Sequence, residues 1–302
     1  MRRKISKAGP ASLIVSLPSK WVKKNNVKSG DEIEVEENGP KLTLSYSNGK
    51  EELKSKKVKI YGSDLIVRRF IASAYRQGYN ELILEFDDPN LLNKIEEYMV
   101  YFMGFEIVEQ GKNYCKVKNL MDTNTASFEV SLRRIFLIII SMSEEILASI
   151  KEKKFSSLKT FSLSETTVNK LAEFCKRNLV VYDEDSVKSK FYYSMIWEME
   201  KICDEYYGIC NELNNCDVKV DSKLIVLFQN VNNYVKKYYD LYYTFNIHDT
   251  ADVYKNKELI IKDAKSILKS KLKYQEELVC FHLMKITEMT YNSTSMVFAL
   301  YL

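Results

Sequence analysis

The sequence predicts a multidomain α+β protein: a small N-terminal β domain made of hairpins, a small α/β module, and a C-terminal all-α region made of two three-helix bundles. Three observations predict it. Nine Gly and four Pro in 302 residues are too few turn residues for a β-sandwich or a β-barrel. From Ser127 onward there is no Pro and a single Gly, at 208, a composition that long helices tolerate easily. The first 46 residues instead read as short strands separated by Gly-Pro and Asn-Gly turn signals. At 46% hydrophobic and 28% charged residues, the chain is folded rather than disordered. The expected domains are 1–48, 55–120 and 122–302, the last with halves of about 122–215 and 217–302.

In the N-terminal domain, Arg2 to Lys7 and Ser12 to Leu17 read as paired strands around Ala8-Gly9-Pro10-Ala11. Pro18 opens a short helix, Ser19 to Lys24, at its first turn, where the missing N–H costs nothing. Trp21 and Val22 are its inward residues. Lys28-Ser29-Gly30-Asp31 is a turn, Glu32 to Glu36 a strand, and Asn38-Gly39 a hairpin turn that returns through Leu42 and Leu44. About 45 residues bury too little surface to be stable alone, and the segment has no metal or disulfide to staple it, so dimerisation is the expected solution.

Charge is uneven along the chain. The net value is +4, from 45 basic against 41 acidic residues. Residues 1–30 carry Arg2, Arg3, Lys4, Lys7, Lys20, Lys23, Lys24 and Lys28 and no acid, whereas 31–37 carry five acids. A concentrated basic block is the electrostatic footprint of a polyanion binder.

The run Leu17-Pro18-Ser19-Lys20-Trp21-Val22, followed by Val27-Lys28-Ser29-Gly30-Asp31-Glu32-Ile33-Glu34-Val35, resembles the AbrB/MazE-like (SpoVT-AbrB) swapped-hairpin domain. The resemblance covers residues 1–46. It implies an intertwined homodimer that binds duplex DNA through the first hairpin, with Arg2, Arg3, Lys4 and Lys7 as contacts and Lys20, Lys23 and Lys24 flanking on phosphates.

Residues 57–117 read β-α-β-α-β-β: strand 57–60, a helix capped by Ser63 or Asp64 and running through Arg76, strand 81–86, helix 90–103, and a hairpin of 105–109 with 113–117. No Gly-rich phosphate loop occurs there, and a spacer or regulatory role is expected. Six helices follow, at about 124–153, 163–183, 185–214, 219–246, 250–272 and 273–301. Placing Glu200 over Glu288 aligns the two halves, with apolar stripes at i, i+3, i+4 and i+7 on both third helices. Glu200 and Asp204 lie one turn apart on one face. Two such acids repel unless a cation, or a Lys or Arg, neutralises them. A solvated acidic face is the alternative to a metal site.

The segment Glu200-Lys201-Ile202-Cys203-Asp204-Glu205, together with Asn169-Lys170-Leu171 and Arg177-Asn178-Leu179, resembles the PhoU family. The order of head, α/β module and helical tail resembles archaeal phosphate-uptake regulators. That resemblance implies a regulator of phosphate homeostasis with a bound divalent or ferric ion (iron, zinc or magnesium). Its ligands would be Glu200 and Asp204 in the first half and Glu288 and Asn292 in the second. Asn292 departs from the family's Asp and weakens the second site.

The expected function is therefore phosphate-responsive transcriptional regulation. The alternative is a signalling adaptor that acts on a phosphate transporter, with the head as a dimeriser only. An enzyme is not expected, since two histidines and no Ser-His-Asp, Cys-His or phosphate-loop constellation offer no catalytic set. Six cysteines without a C-x-x-C pair, and no apolar stretch after Arg2-Arg3-Lys4, predict reduced thiols in the cytoplasm. No apolar run reaches the ~18 residues that span a bilayer, so membrane insertion is not expected.

Overall fold

The computed structural model describes residues 2–10, 12–46, 54–61, 64–121, 125–182, 186–214 and 220–302. The chain is a mixed α+β protein that divides into two compact units, Met1–Leu53 and Lys54–Leu302. They are called head and body below.

The head contains β1 (Ser6–Lys7), β2 (Leu13–Ile14), α1 (Ser19–Lys24), β3 (Glu34–Asn38) and β4 (Lys41–Ser45). β1 pairs antiparallel with β2, Lys7 opposite Leu13, and Ala8 N–H to the Ser12 carbonyl at 3.0 Å closes the hairpin. These strands are shorter than the sequence predicts, two residues each, because the pairing ends where Arg2, Arg3 and Lys4 begin. β3 and β4 pair in full register, Val35 opposite Leu44 and Glu37 opposite Leu42. Each head sheet has two strands. Such isolated hairpins are marginal in water. Pro18 precedes α1 with φ −63°, as its sequence position predicts.

The body opens with β5 (Ser55–Ile60), α2 (Asp64–Arg76), β6 (Glu81–Phe86), α3 (Asn90–Met99), β7 (Phe105–Gly111) and β8 (Tyr114–Asn119). Its sheet order is β5-β6-β8-β7, with β5 and β6 parallel around α2 and the rest antiparallel. β6 alternates strictly, burying Leu82, Leu84 and Phe86. Gly78, at φ +79°, ends α2 in a left-handed turn. α3 stops at Met99, four residues before the predicted end, in turns leading to Gly104. Val67, Ile71 and Tyr75 of α2 close the core over the sheet, with the Tyr75 ring edge-on to Phe105 at 4.8 Å.

Six long helices follow: α4 (Thr125–Lys151), α5 (Ser162–Tyr182), α6 (Val187–Leu213), α7 (Ser222–Tyr243), α8 (Thr250–Leu268) and α9 (Tyr274–Tyr301). The breaks after Lys151 and before Thr250 carry short 3₁₀ turns, Phe155–Phe161 and Ile247–Asp249. The breaks expected at 183–185 and around Cys216, like the Ser63 cap, lie outside the described residues. α6 and α9, the third helices of the two halves, form the most extensive helix contact. The only glycine of this region makes that approach close. A Cβ on Gly208 would lie 2.5 Å from Cε1 of His282.

Candidate functional site

No residue of the head is buried among those described. Ile5, Leu13, Ile14, Val15, Val35 and Leu42 are all about half exposed or more, Leu13 at 69%. Alternation along the strands puts Ile5, Lys7, Leu13 and Val15 on one face of the first hairpin, and Val35, Leu42 and Leu44 on one face of the second. Trp21 and Val22, expected to point inward, are only half-buried; the Trp21 ring lies edge-on to that of Tyr46 at 6.3 Å.

The turn before β3 is well formed. The Lys28 N–H donates to Asp31 Oδ2 at 2.7 Å, Asp31 N–H donates to the Lys28 carbonyl at 3.2 Å, and the Tyr46 hydroxyl donates to the same carboxylate. These donors, Tyr46 first, hold the Asp31 carboxyl below its usual range. Arg2, Arg3, Lys4, Lys7, Lys20, Lys23 and Lys24 are all exposed. Of them, Arg3 donates to Ser16 Oγ at 3.4 Å across the first hairpin.

In the body, Glu200 and Asp204 do come together on α6, and lysines neutralise both. Lys176 of α5 is fully buried, donates to Glu200 Oε2, and lies 3.4 Å from Glu173 Oε1. Lys201 reaches Asp204 Oδ2 at 2.7 Å and Glu200 Oε1 at 3.8 Å. Burial pushes the Asp204 carboxyl up, against the pull of Lys201. Glu288 pairs with Lys257 of α8 at 3.2 Å, and Asn292 is exposed. These residues do not fit a metal ion. Ammonium groups hold the positions and supply the charge that a hard cation would, and no group of three or more His, Cys, Asp or Glu suited to a metal occurs among the described residues.

Lys176 was legible only in part. It falls on the buried stripe Val168, Ala172, Lys176, Leu179, where a charge needs a partner. A second polar link had no sequence signal: Glu205 of α6 receives His282 Nδ1 at 2.6 Å and Lys285 Nζ at 2.9 Å from α9. Arg177, also buried, donates to the carbonyls of Tyr75 at 2.6 Å and Tyr79 at 2.9 Å, tying α5 to the end of α2. The described cysteines, Cys115, Cys175, Cys203, Cys210 and Cys280, are free and buried. Cys115 and Cys210 are pushed up to about 12 by burial, so their thiols stay protonated.

Comparison with known families places one region. Residues 8–52 match the family model described as antidote-toxin recognition MazE, bacterial antitoxin. Over those residues the head is similar to AbrB/MazE-like domains. The match stops within the head, and neither a curated protein nor a solved structure matches the chain. The exposed apolar faces and the exposed basic residues described above thus belong to the MazE-like domain and its N-terminal extension. No described helix is long and apolar enough to cross a membrane.

Proposed function

We propose that the chain is a DNA-binding transcriptional regulator whose MazE-like head pairs with the head of a second copy. One observation carries this reading: the head has exposed apolar faces and no buried residue among those described, beside an exposed basic block. A second copy gives the apolar faces a core, and pairing doubles the basic surface. Arg2, Arg3, Lys4 and Lys7 then meet duplex phosphates, flanked by Lys20, Lys23 and Lys24. In its finer form, the body is the sensor and phosphate uptake the process controlled. The resemblance of α5 and α6 to the PhoU family supports that part, and lysine neutralisation of Glu200 and Asp204 leaves metal out of it.

A salt titration of duplex binding tests the proposal. Four to six phosphate contacts per dimer give a slope of log affinity against log salt of about −4 to −5. The Arg2/Arg3/Lys4/Lys7→Ala variant should flatten it. Absence of duplex binding at low salt would leave the head a dimeriser and make the adaptor reading the working one.

A further inference from the structure

A cleft of about 630 Å³ opens in the body between α2 and the α5–α6 pair. Its α2 wall is a helical stripe: Arg69, Ala72, Ser73 and Arg76 fall at i, i+3, i+4 and i+7, on the side away from the sheet-facing Val67, Ile71 and Tyr75. Arg68 lies beside them, its guanidinium 4.1 Å from the centre of the Tyr101 ring. Four cationic side chains (Arg68, Arg69, Arg76 and Lys201) line the cleft against two carboxylates, Glu173 and Glu200. Both carboxylates are already committed, Glu173 to Arg76 at 3.0 Å and Glu200 to Lys176. Arg68 and Arg69 have no carboxylate within ion-pair distance among the described residues.

Two further features separate this cleft from a merely basic surface. Asn169, a lining residue 6% exposed, spends its amide N–H on Glu165 at 2.5 Å, and its carbonyl oxygen is buried with no hydrogen-bond donor among the described residues. A buried acceptor without a donor is costly and is usually satisfied by something. Trp197 is 43% exposed at the same cleft, with Lys176 at 4.7 Å and Arg76 and Lys201 at 5.9 Å from the centre of its ring, so the exposed part of the indole stands among cations.

We propose that this cleft binds a nucleoside monophosphate. A phosphate dianion matches the unpaired guanidinium groups of Arg68 and Arg69, whose planar forks suit its oxygens. A ring amino or ribose hydroxyl supplies the donor that Asn169 lacks, and the base takes its place against Trp197 and Tyr101. The volume suits a ligand of that size. The cleft lies where the α/β module meets the helices, so the ligand bridges two layers of the body. No Gly-rich loop is needed, because side chains rather than backbone N–H groups hold the anion. The inference is independent of the DNA-binding reading.

The test uses the full chain without DNA. The protein has two tryptophans, so a Trp21→Phe background makes Trp197 the sole indole reporter. AMP, ribose 5-phosphate and inorganic phosphate are titrated by fluorescence and by calorimetry. AMP should change Trp197 emission saturably and bind at least tenfold tighter than either fragment. Arg68→Ala/Arg69→Ala should weaken AMP at least tenfold, while Lys262→Ala/Lys265→Ala, the same charge loss at exposed positions of α8, leaves it unchanged. Saturable binding of phosphate as tight as AMP, equal affinity in the Arg68/Arg69 variant, or no binding of any probe at millimolar concentration would overturn the proposal.

Discussion

Head and body use the same kinds of apolar residue to opposite effect. In the body, Leu82, Ile95, Leu132, Ile146 and Leu283 reach zero exposure. In the head, Ile5, Leu13, Val35 and Leu42 remain open. Fully burying one such side chain is worth about 1.5–3 kcal/mol, so the body has a large hydrophobic term and a single head has nearly none. Alternation in a strand sets which face is apolar. It does not say whether the chain itself supplies the layer that covers it.

The body's stability should be the easier to break by a single change, because its polar groups are buried with it. Lys176→Ala removes the buried ammonium that Glu173 and Glu200 share, leaving Glu173 to Arg76 alone and Glu200 to Lys201 at 3.8 Å. Removing one partner of a buried ion pair costs about 3–5 kcal/mol, to be read from urea unfolding of the body transition. Head-mediated association should survive in that variant under native conditions.

A smaller effect is expected at the α6–α9 crossing. Gly208→Ala pushes a methyl group into the His282 ring, which Glu205 holds in place, and overpacking of this kind costs about 1–3 kcal/mol. The same substitution in a His282→Ala background should cost clearly less. Equal costs in both backgrounds would detach the glycine from the helix approach.

The smallest effect depends on pH. Burial, helped by Asp204, raises the Glu165 carboxyl above its usual 4.5. The folded state therefore holds that proton more tightly than the unfolded chain does. The stability from this group is full below pH 4.5 and is lost as pH rises through the folded value. Glu165→Gln removes that loss, so its melting temperature should exceed the parent's near pH 7 and match it near pH 4. A gain that is the same at both pH values would contradict the assignment.

The sequence showed more of the fold than of the chemistry. The long helices of the body were legible because Pro vanishes and a single Gly remains after Ser127 while polar breaks recur, and β6 was legible from its alternation. In the head, α1 was legible from Pro18, but the first strands pair over fewer residues than Arg2 to Lys7 and Ser12 to Leu17 suggest, since only Ser6 and Lys7 pair, with Ile14 and Leu13. The acidic pair Glu200 and Asp204 was legible by its helical spacing. Lys201, three residues before Asp204, was legible in the same way; the buried partner of Glu200 was not, because Lys176 comes from another helix, 24 residues away in the chain. The Arg68–Arg69–Arg76 cleft was invisible for the same reason: its walls meet only when α2 packs on α5.

The central claim is that the head acquires its core from a second copy, and sedimentation velocity of the full chain at micromolar concentration tests it most directly. The account predicts a species of twice the 35.3 kDa chain mass. Val35→Asp/Leu42→Asp should return it to a monomer while the body keeps its helical circular dichroism. A wild-type chain that sediments as a monomer, or a charged variant that stays dimeric, would contradict it.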